Sequence, residues 1–370
     1  MKITDLTVTL FERTGLGQYQ YSPHNPPVTG RIVLGLVTVS TDEGLEGHAF
    51  LGNANRHADL DAFSLVHALK PMIVGHDPLD REYLYKRLSM RTRYTSWRAI
   101  GAVDVALWDL AGKVANLPIY KLIGGYRDAV PAYASSPGYT DLGKYREEVI
   151  AVKERGYSAY KVHPPRSGWR QDITACEAVR EAVGSDYILM VDSSGLYDYP
   201  QALRVGKAVQ EMDYYWFEDP LPFEDIYNYT KLRPKLEIPL MATEKSPGAF
   251  HSYAEWVTSQ ATDYLRGDVE AKGGLTSCLK AAHLADAFQM NFELHHGGNS
   301  LNNVAQLHLM CALRNSEFFE VILPDELQKY GLVEDISVDK NGNIRVPDRP
   351  GLGVDIDFDL IRRTTVSVLK

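Results

Sequence analysis

A regular alternation of short apolar runs with longer segments, beginning near residue 129, constrains the fold of this chain most strongly. Successive runs start roughly 25 to 30 residues apart, about the length of one strand-plus-helix unit. The eight runs are VPAYAS (130–135), AYKVHP (159–164), YILMVDS (187–193), YYWFED (214–219), PLMATE (239–244), YLRGDVE (264–270), NFELHH (291–296) and FFEVIL (318–323). Helical patterns between them cover Lys144–Arg155, Asp172–Val183, Ala202–Met212 and Thr276–Phe288. Eight strands joined by helices favour a closed parallel barrel, although an open doubly wound sheet fits this pattern alone.

The first 125 residues have a different, mixed α+β organisation. Alternating strands are predicted at Lys2–Leu10 and Arg31–Ser40, a turn at Thr41–Gly47, and helices at Ala58–Val74 and Trp97–Val114. The last segment, from Tyr330 to Lys370, contains no further strand-plus-helix unit. We therefore predict an α+β capping domain over residues 1–125, a barrel over 126–329, and a C-terminal segment, 330–370, that completes the cap.

The composition excludes several classes of protein. Lys plus Arg number 39 against 48 Asp plus Glu, giving a net charge of -9, so no basic surface is available for nucleic acid or an anionic membrane. No apolar stretch approaches the ~18 residues that span a bilayer, and the alternating start is unlike a signal peptide. The 3 cysteines have neither metal-type nor redox-type spacing. We expect a cytoplasmic protein.

Polar side chains occur at recurring positions within the predicted barrel strands. Every run after the first carries a charged or imidazole side chain, usually near its carboxyl end; these are Lys161, His163, Asp192, Glu218, Glu244, Asp268, His295 and Glu320. Since the carboxyl ends of parallel barrel strands converge on one mouth, these residues are predicted to share one site.

Three of these residues are carboxylates at equivalent strand positions. The same number of residues separates Asp192 from Glu218 as separates Glu218 from Glu244. Three carboxylates in a partly buried mouth would repel one another unless a cation neutralised them, and hard carboxylate oxygens suit Mg²⁺ best. A single acid at a strand end is as readily a helix cap or a surface charge, but three in register predict a metal site.

Two further pairs predict proton-transfer groups on either side of that metal. Lys161 and His163 are two residues apart on one strand, so their side chains point into the same space. Asp268 and His295 lie on neighbouring strands, where the carboxylate can orient the imidazole and raise its basicity. By contrast, His308 lies on a predicted helix, where a structural hydrogen-bonding role is favoured.

The motifs around the three acids resemble those of the enolase superfamily, specifically its mandelate racemase-like group. The acids occur in MVDSSG, WFEDP and ATEK, and the segments WRAIGAVDVALWDLAGKVANLPIYKLIGG and PGLGVDIDFDLI extend the similarity over nearly the whole chain. The resemblance implies a modified TIM barrel, (β/α)7β, with an α+β capping domain. It also implies that Mg²⁺ on the three acids binds a substrate carboxylate while a base removes the α-proton to give a metal-stabilised enolate.

The resemblance also implies roles for the remaining strand-end residues. GDVEAKGGLTS and LHHGGN match the family's histidine–aspartate dyad at His295 and Asp268, and Glu320 in FFEVI resembles the group's last-strand acid. The group commonly has Lys-x-Lys on the opposite face, whereas here the second position is His163. Lys161 keeps the position that usually stabilises charge on the substrate carboxylate. Whether this face transfers protons or acts electrostatically stays open.

Loops of the capping domain are expected to bind the rest of the substrate. GLGQYQYSPHNPPVTG, residues 15–30, includes Tyr21 and His24, and HAFLGNANRH adds His48, Asn53, Asn55 and Arg56. We predict Tyr21, His24 and His48 as substrate-binding residues. Hydrogen-bonding side chains of this kind suit a polyhydroxy acid better than an aromatic one, although each is as readily part of a polar surface loop.

Three reactions can follow removal of the α-proton. Loss of a β-hydroxyl would make the protein an acid-sugar dehydratase that forms a 2-keto-3-deoxy acid. This is the favoured reading, because a leaving hydroxyl needs a general acid and His295 or His163 can serve. A cycloisomerase of an anhydro or lactone acid sugar is the second reading, and a racemase or epimerase the third.

Two readings from other classes fit the sequence less well. A non-catalytic binding protein could keep the same fold, but the complete set of metal acids and the dyad argue against it. A barrel enzyme with a phosphate site would need a glycine-rich phosphate loop near the last strands, and the GGN sequence at 297–299 is too weak a signal. We expect a homo-oligomer of unspecified size that acts on a small-molecule carboxylate.

Overall fold

A computed structural model of the chain describes residues 1–17, 20 and 30–370. The N-terminal strands and the last strand form a four-stranded antiparallel sheet in the order β13-β1-β2-β3. Its strands are β1 (Ile3–Thr14), β2 (Arg31–Thr41), β3 (Glu46–Leu51) and β13 (Thr365–Leu369). Leu6, Val8 and Leu10 alternate into the core along β1, as the sequence pattern predicts. Strand β3 is not among the predicted elements.

Helices pack on this sheet and connect it to the rest of the molecule. They are α1 (Asp59–Ser64), α2 (Lys70–Ile73), α3 (Arg81–Ser89), α4 (Trp97–Ala115) and α5 (Ile119–Leu122), with a π-helical turn at Leu65–Leu69 between α1 and α2. The hydroxyl of Ser96 caps α4 by accepting a hydrogen bond from the amide of Ala99, and the left-handed Asn116 ends it. Gly47 of β3 lies against α4 so closely that a Cβ would come within 2.1 Å of the Ala106 carbonyl oxygen.

The eight predicted barrel strands are all present and every neighbouring pair is parallel. They are β4 (Ala129–Ser135), β5 (Ala159–Val162), β6 (Ile188–Asp192), β7 (Phe217–Glu218), β8 (Leu240–Ala242), β9 (Tyr264–Gly267), β10 (Asn291–Leu294) and β11 (Phe319–Ile322). The intervening helices are α6 (Leu142–Glu154), α7 (Trp169–Val183), α8 (Tyr199–Glu211), α9 (Ile226–Leu232), α10 (Tyr253–Thr258), α11 (Leu275–Ala287) and α12 (Ser300–Ala312).

The strand order distinguishes a barrel from an open sheet. Strands β4 to β10 lie side by side in sequence order, and β11 returns to pair with β4. An open doubly wound sheet would instead reverse its order near the middle. The predicted (β/α)7β barrel with an α+β cap is therefore confirmed, and the carboxyl ends of all eight strands face one mouth.

The C-terminal segment contacts both parts of the molecule. Its strand β12 (Asn343–Arg345) pairs antiparallel with β4 of the barrel, whereas β13, which follows α13 (Phe358–Thr364), pairs with β1. The segment therefore extends the barrel sheet as well as the antiparallel sheet. The predicted domain boundaries at residues 125 and 329 stay predictions. None of the helices in the described residues is long and apolar enough to cross a membrane.

His308 on α12 joins the barrel to segments outside it. Its Nδ1 accepts a hydrogen bond from the Tyr120 amide at 3.2 Å, and its Nε2 donates to the Leu352 carbonyl at 3.0 Å. The imidazole is fully buried, and burial lowers its pKa from 6.5 to about 4. The structural role predicted for His308 is confirmed by these contacts.

This buried histidine predicts a loss of stability in mild acid. The native state keeps His308 neutral, whereas the unfolded chain protonates it below pH 6.5. The free energy of unfolding contributed by this group is therefore fully present above that pH and falls by about 2 kcal/mol between pH 7 and pH 5. Urea unfolding of the wild type and His308→Gln at the two pH values measures the effect. Equal pH dependence in both proteins would contradict it.

Candidate active site

The inside of the barrel is arranged in layers along the strands. Alternate residues of each strand point into the barrel. A residue two positions further along a strand therefore lies one layer closer to the mouth. On β5, Ala159 lies in the bottom layer, Lys161 in the middle layer, and His163 just beyond the strand at the mouth. A cluster of buried hydrophobic side chains lies at the bottom and includes Tyr133, Ala159, Met190, Trp216, Met241 and Phe318.

The middle layer is a buried network of charges. The Lys161 ammonium lies 2.9 Å from Glu218 Oε2 and 2.8 Å from Glu320 Oε1. The Arg266 guanidinium reaches the other oxygens of the same two carboxylates, at 2.7 Å from Glu218 and 2.5 Å from Glu320. Burial alone would raise the pKa of Glu320, but Lys161 and Arg266 hold it well below its usual range. Two cations thus balance two carboxylates, as charges removed from water require.

Two of the predicted catalytic residues lie in this middle layer. Neither Lys161 nor Glu320 lines the cavity at the mouth, because each lies one layer below the strand ends. Strand alternation correctly places Lys161 and His163 on the same side, but it does not give their depth. Lys161 holds Glu218 and Glu320 together, and its ammonium also lies 3.7 Å from Asp192 Oδ2 at the cavity. The catalytic roles predicted for Lys161 and Glu320 stay predictions.

Asp192, Glu218 and Glu244 come together as predicted. One oxygen from each lies within 4.8 Å of the others, and all three side chains are buried. Burial would raise the pKa of Asp192, but His163 and Lys161 hold it well below its usual value; burial raises the pKa of Glu218 to about 7. Three hard oxygen donors at this spacing fit a divalent cation such as Mg²⁺.

Strained backbone flanks each of these three acids. Ser194, Asp219 and Thr243 have positive φ angles of 52°, 41° and 92°. A β-branched residue is rarely found there, and such strain persists only where surrounding bonds fix it. The hydroxyl of Thr243 donates to the Arg266 carbonyl and accepts from the Arg266 amide, both at 2.9 Å. These bonds fix the turn that presents Glu244 to the mouth.

His163 flanks the three acids on the β5 side. Its Nδ1 lies 2.8 Å from the Ser136 carbonyl, which can only accept, so Nδ1 carries a proton. Its Nε2 lies 2.8 Å from Asp192 Oδ2 at the cavity surface. Burial lowers the pKa of this imidazole.

His295 flanks the acids on the opposite side. Its Nδ1 is 2.7 Å from Asp268 Oδ2, and its Nε2 is 3.8 Å from Glu244 Oε1. Burial would lower the pKa of His295, but Glu244 and the hydrogen bond to Asp268 raise it to about 9. The amides of Glu270 and Ala271 donate to the other oxygen of Asp268 and fix its orientation.

A cavity of about 840 Å³ lies above the three acids and is enclosed by barrel loops and by the N-terminal part of the chain. His163, Asp192, Glu244, Asp268 and His295 line it, so five of the predicted residues share this space. The cavity also includes Asn53, Arg56, Arg98, Arg166, Lys245, Glu270 and Lys272. Of these, Asn53 and Arg56 lie in the loop segment that the sequence singles out, whereas the others were not predicted.

Of the three predicted substrate-binding residues, the structure describes only His48. Tyr21 and His24 lie outside the described residues. His48 does not line the cavity, and its substrate-binding role stays a prediction. Its ring lies 3.3 Å from the Thr38 hydroxyl and packs on Phe358, because its side chain faces the C-terminal segment. Burial lowers the pKa of His48.

The fold is a capped (β/α)7β barrel, and its site has three carboxylates between two imidazoles. These features place the protein in the class of barrel proteins with a candidate metal site at the strand ends. Residues 25–124 match the N-terminal domain family of mandelate racemase and muconate lactonizing enzyme, and residues 144–360 match the enolase C-terminal domain-like family. This chain belongs to the enolase superfamily, in its mandelate racemase and muconate lactonizing enzyme group.

Named relatives and solved structures resemble the chain over most of its length. It is 30% identical over 329 residues to arabinonate dehydratase of Saccharolobus solfataricus, covering 86% of this chain and 87% of the relative. It is 28% identical over 357 residues to D-galactarolactone cycloisomerase of Agrobacterium fabrum, covering 88% and 89%. The crystal structure of D-glucarate dehydratase from Agrobacterium tumefaciens complexed with magnesium has a TM-score of 0.87 and 33% identity, covering 99% of this chain and 100% of that one.

Proposed function

We propose that this protein is a Mg²⁺-dependent acid-sugar dehydratase. It removes the α-proton of a carboxylate substrate and eliminates the β-hydroxyl, forming a 2-keto-3-deoxy acid and water. The observation that carries the proposal is the position of His163 and His295 on the two sides of three buried carboxylates in one cavity. Similarity to dehydratases that act on acid sugars supports the choice of reaction.

The three strand-end acids are the proposed holders of the ion. Asp192, Glu218 and Glu244 offer hard oxygens, and Lys161 and Arg266 position Glu218 from below. When bound, the ion would neutralise negative charge on the substrate carboxylate as the α-proton leaves.

The two imidazoles are suited to opposite halves of the proton transfer. His163 Nε2 is the ring nitrogen at the cavity beside Asp192, so this imidazole is the proposed acceptor of the α-proton. His295 is held by Asp268 at 2.7 Å through Nδ1, which leaves Nε2 facing the acids, so it is the proposed donor of a proton to the leaving hydroxyl. The electron pair of the broken α-C–H bond forms a C=C bond between the α- and β-carbons as the bond from the β-carbon to the hydroxyl breaks. The enol product then tautomerises to the 2-keto acid.

A cycloisomerase is the second candidate function. It would use the same removal of the α-proton, and the similarity to D-galactarolactone cycloisomerase supports it. The same two imidazoles could then act on a ring C–O bond without release of water. A racemase is the third candidate, supported by a similar likeness to N-succinyl-L-Arg/Lys racemase.

One experiment separates these functions. The Mg²⁺-loaded protein is incubated in deuterated water with aldonic, aldaric and anhydro acid sugars, and products are followed by mass spectrometry and NMR. We expect a 2-keto acid and loss of water from at least one acid sugar. Products that retain the elements of water and differ in mass only by incorporated deuterium would favour the cycloisomerase, or an epimerase if only a stereocentre inverts. Absence of both product and α-deuterium incorporation from every acid would favour a non-catalytic binding protein.

The predicted homo-oligomer is a separate part of the proposal. Sedimentation of the purified protein checks it, and a monomer at micromolar concentration would contradict it.

A further inference from the structure

The backbone and ring of His163 are held by hydrogen bonds that come from outside the cavity. Its amide donates to the Ser136 hydroxyl at 3.0 Å, and its Nδ1 donates to the Ser136 carbonyl at 2.8 Å. The Tyr145 hydroxyl of α6 donates to the His163 carbonyl at 2.6 Å. These bonds fix the residue from the loop after β4 and from α6, and they leave Nε2 toward Asp192.

The contacts of His163 continue into a chain of hydrogen bonds that ends at Glu148 on α6. Tyr160 lies on β5 and faces out of the barrel, because it alternates with the inward-facing strand residues. Its hydroxyl bonds to the Ser136 hydroxyl and lies 2.7 Å from Glu148 Oε1. The Tyr139 hydroxyl lies 2.7 Å from Glu148 Oε2. One carboxylate outside the barrel is thus connected to the loop that holds the proposed proton acceptor.

The carboxylate of Glu148 sets the direction of the bonds in this chain. An ionised carboxylate only accepts, so the hydroxyls of Tyr139 and Tyr160 both donate to it. The Tyr160 oxygen then accepts from the Ser136 hydroxyl, because its own proton is already used. With its proton directed at Tyr160, the Ser136 oxygen is left to accept from the His163 amide. Reversal of the bond between Tyr160 and Ser136 would place two donors against each other at that amide.

The chain is buried and lies apart from the cavity. Ser136 is 1% exposed, Tyr145 and Tyr160 are fully buried, and Glu148 is partly buried. None of these residues is among the described residues that line the cavity. Hydrogen bonds in such surroundings are strong, since water does not compete for the donors. The chain does not touch a molecule in the cavity, so its effect on the reaction passes through His163.

We propose that Glu148 is a positioning residue for His163, and that it acts through Tyr160 and Ser136. It keeps the β4 loop and the His163 backbone in the arrangement that directs Nε2 into the cavity beside Asp192. This inference rests on the proposed function, because it takes His163 as the proton acceptor. A misplacement of about 1 Å at a reacting group costs about 10²-fold in rate, so a residue outside the site controls turnover through such a chain.

Glu148→Met tests the inference by removing both acceptor oxygens while keeping a side chain of similar length. We expect kcat for dehydration to fall about tenfold, the effect of one hydrogen bond to a charged group. KM and Mg²⁺ affinity should change by less than about twofold, because the metal acids and the cavity walls are untouched. Glu147→Met, at an exposed position on the same helix, is the matched control.

Tyr160→Phe breaks the chain at its next link and gives a second variant should Glu148→Met fail to fold. It removes only one hydroxyl, and we expect the same pattern of lowered kcat with unchanged KM. Tyr187→Phe is the control for loss of a phenol, because the Tyr187 hydroxyl donates to the Tyr157 carbonyl at 2.9 Å and is not part of the chain. Thermal unfolding midpoints show that each variant is folded at the assay temperature.

Double variants show whether Glu148 acts through His163. In the His163→Asn background, Glu148→Met should leave the residual turnover unchanged, because the group that it positions is already gone. In the His295→Asn background, it should still slow exchange of the substrate's α-proton with deuterated water by about tenfold. A purely structural role would lower the rate by the same factor in both backgrounds.

A spectroscopic measurement gives a readout that does not depend on turnover. In protein with isotope-labelled histidine, the Nδ1 proton of His163 is expected as a protected imidazole resonance, because it is buried and bonded to the Ser136 carbonyl. Its absence from the spectrum of His163→Asn identifies it. We expect this proton to exchange with solvent at least about tenfold faster in Glu148→Met, and at the wild-type rate in Glu147→Met.

The outcomes separate this inference from the proposed function. Unchanged kcat in Glu148→Met would overturn the inference and leave the dehydratase intact. An equal loss in the His163→Asn and His295→Asn backgrounds would also overturn it, because Glu148 would then act by a route other than His163. Faster exchange of the Nδ1 proton in Glu148→Met, without dehydration of any acid sugar by the wild type, would support the positioning role and reject the proposed function.

Discussion

Exhaustive chelation is expected to abolish dehydration, and Mg²⁺ to restore it. The charge that develops on the substrate carboxylate needs a strong counter-charge, and the three acids Asp192, Glu218 and Glu244 would repel that carboxylate without an ion. Lys161 is bound to Glu218 and Glu320 one layer below the mouth and cannot replace the ion. Turnover of an acid sugar before and after chelation measures the effect. Activity that survives complete chelation would contradict metal dependence.

Glu244→Gln tests which residues hold the ion. The amide keeps the size of the side chain but removes one negative charge, so calorimetry should show Mg²⁺ affinity reduced by about tenfold or more. Turnover should fall with it, while the unfolding midpoint stays similar because Glu244 faces the mouth. Glu255→Gln, at an exposed position on α10, is the control for loss of one carboxylate. Unchanged Mg²⁺ affinity in Glu244→Gln would reject Glu244 as a ligand.

The barrel could be predicted because two signals coincide in its strands. Each strand is a short apolar run, and each run after the first has a polar residue near its end. Strand β3 lacked such a signal, because it is short and directly follows the acidic turn at 41–47. Its residues were included in a predicted turn and loop, although five of the six are buried.

The depth at which each strand residue lies inside the barrel could not be predicted from the sequence. The pattern correctly indicates that Lys161 and His163 face the inside of the barrel, since side chains alternate. It does not show that Lys161 is bound to Glu320 in a closed layer while His163 reaches the cavity. The difference in depth between Lys161 and His163 depends on how neighbouring strands are staggered. In the structure, this stagger places Lys161 beside Met190 of β6.

Loop residues of the cavity were the hardest to predict. Arg166 and Lys245 follow strand ends by a few residues, where a charged side chain usually indicates a solvent-exposed loop. Only the folded chain shows that both line the same space. His48 has polar neighbours that suggested a binding loop, whereas its side chain packs against Phe358. Its substrate-binding role stays a prediction.

His295→Asn is expected to lower turnover by about 10²- to 10⁴-fold, the usual contribution of a positioned proton-transfer group. The amide keeps a polar side chain of similar size beside Asp268, so Mg²⁺ affinity should change little. Asp268→Asn should also lower turnover. The double variant should lose less than the product of the two single losses, because the two residues act as one unit. His251→Asn, at an exposed position outside the cavity, is the control.

Deuterium exchange then assigns the two halves of the reaction. If His163 removes the α-proton, His295→Asn should still exchange that proton with deuterated water while forming almost no product, because only the donor to the leaving hydroxyl is missing. His163→Asn should lose exchange and product together, since the C–H bond is never broken. Exchange that survives in His163→Asn but not in His295→Asn would reverse the two roles. Unchanged turnover in His295→Asn would remove the dyad from the mechanism, because no other imidazole contacts Asp268 in the part of the chain that the structure describes.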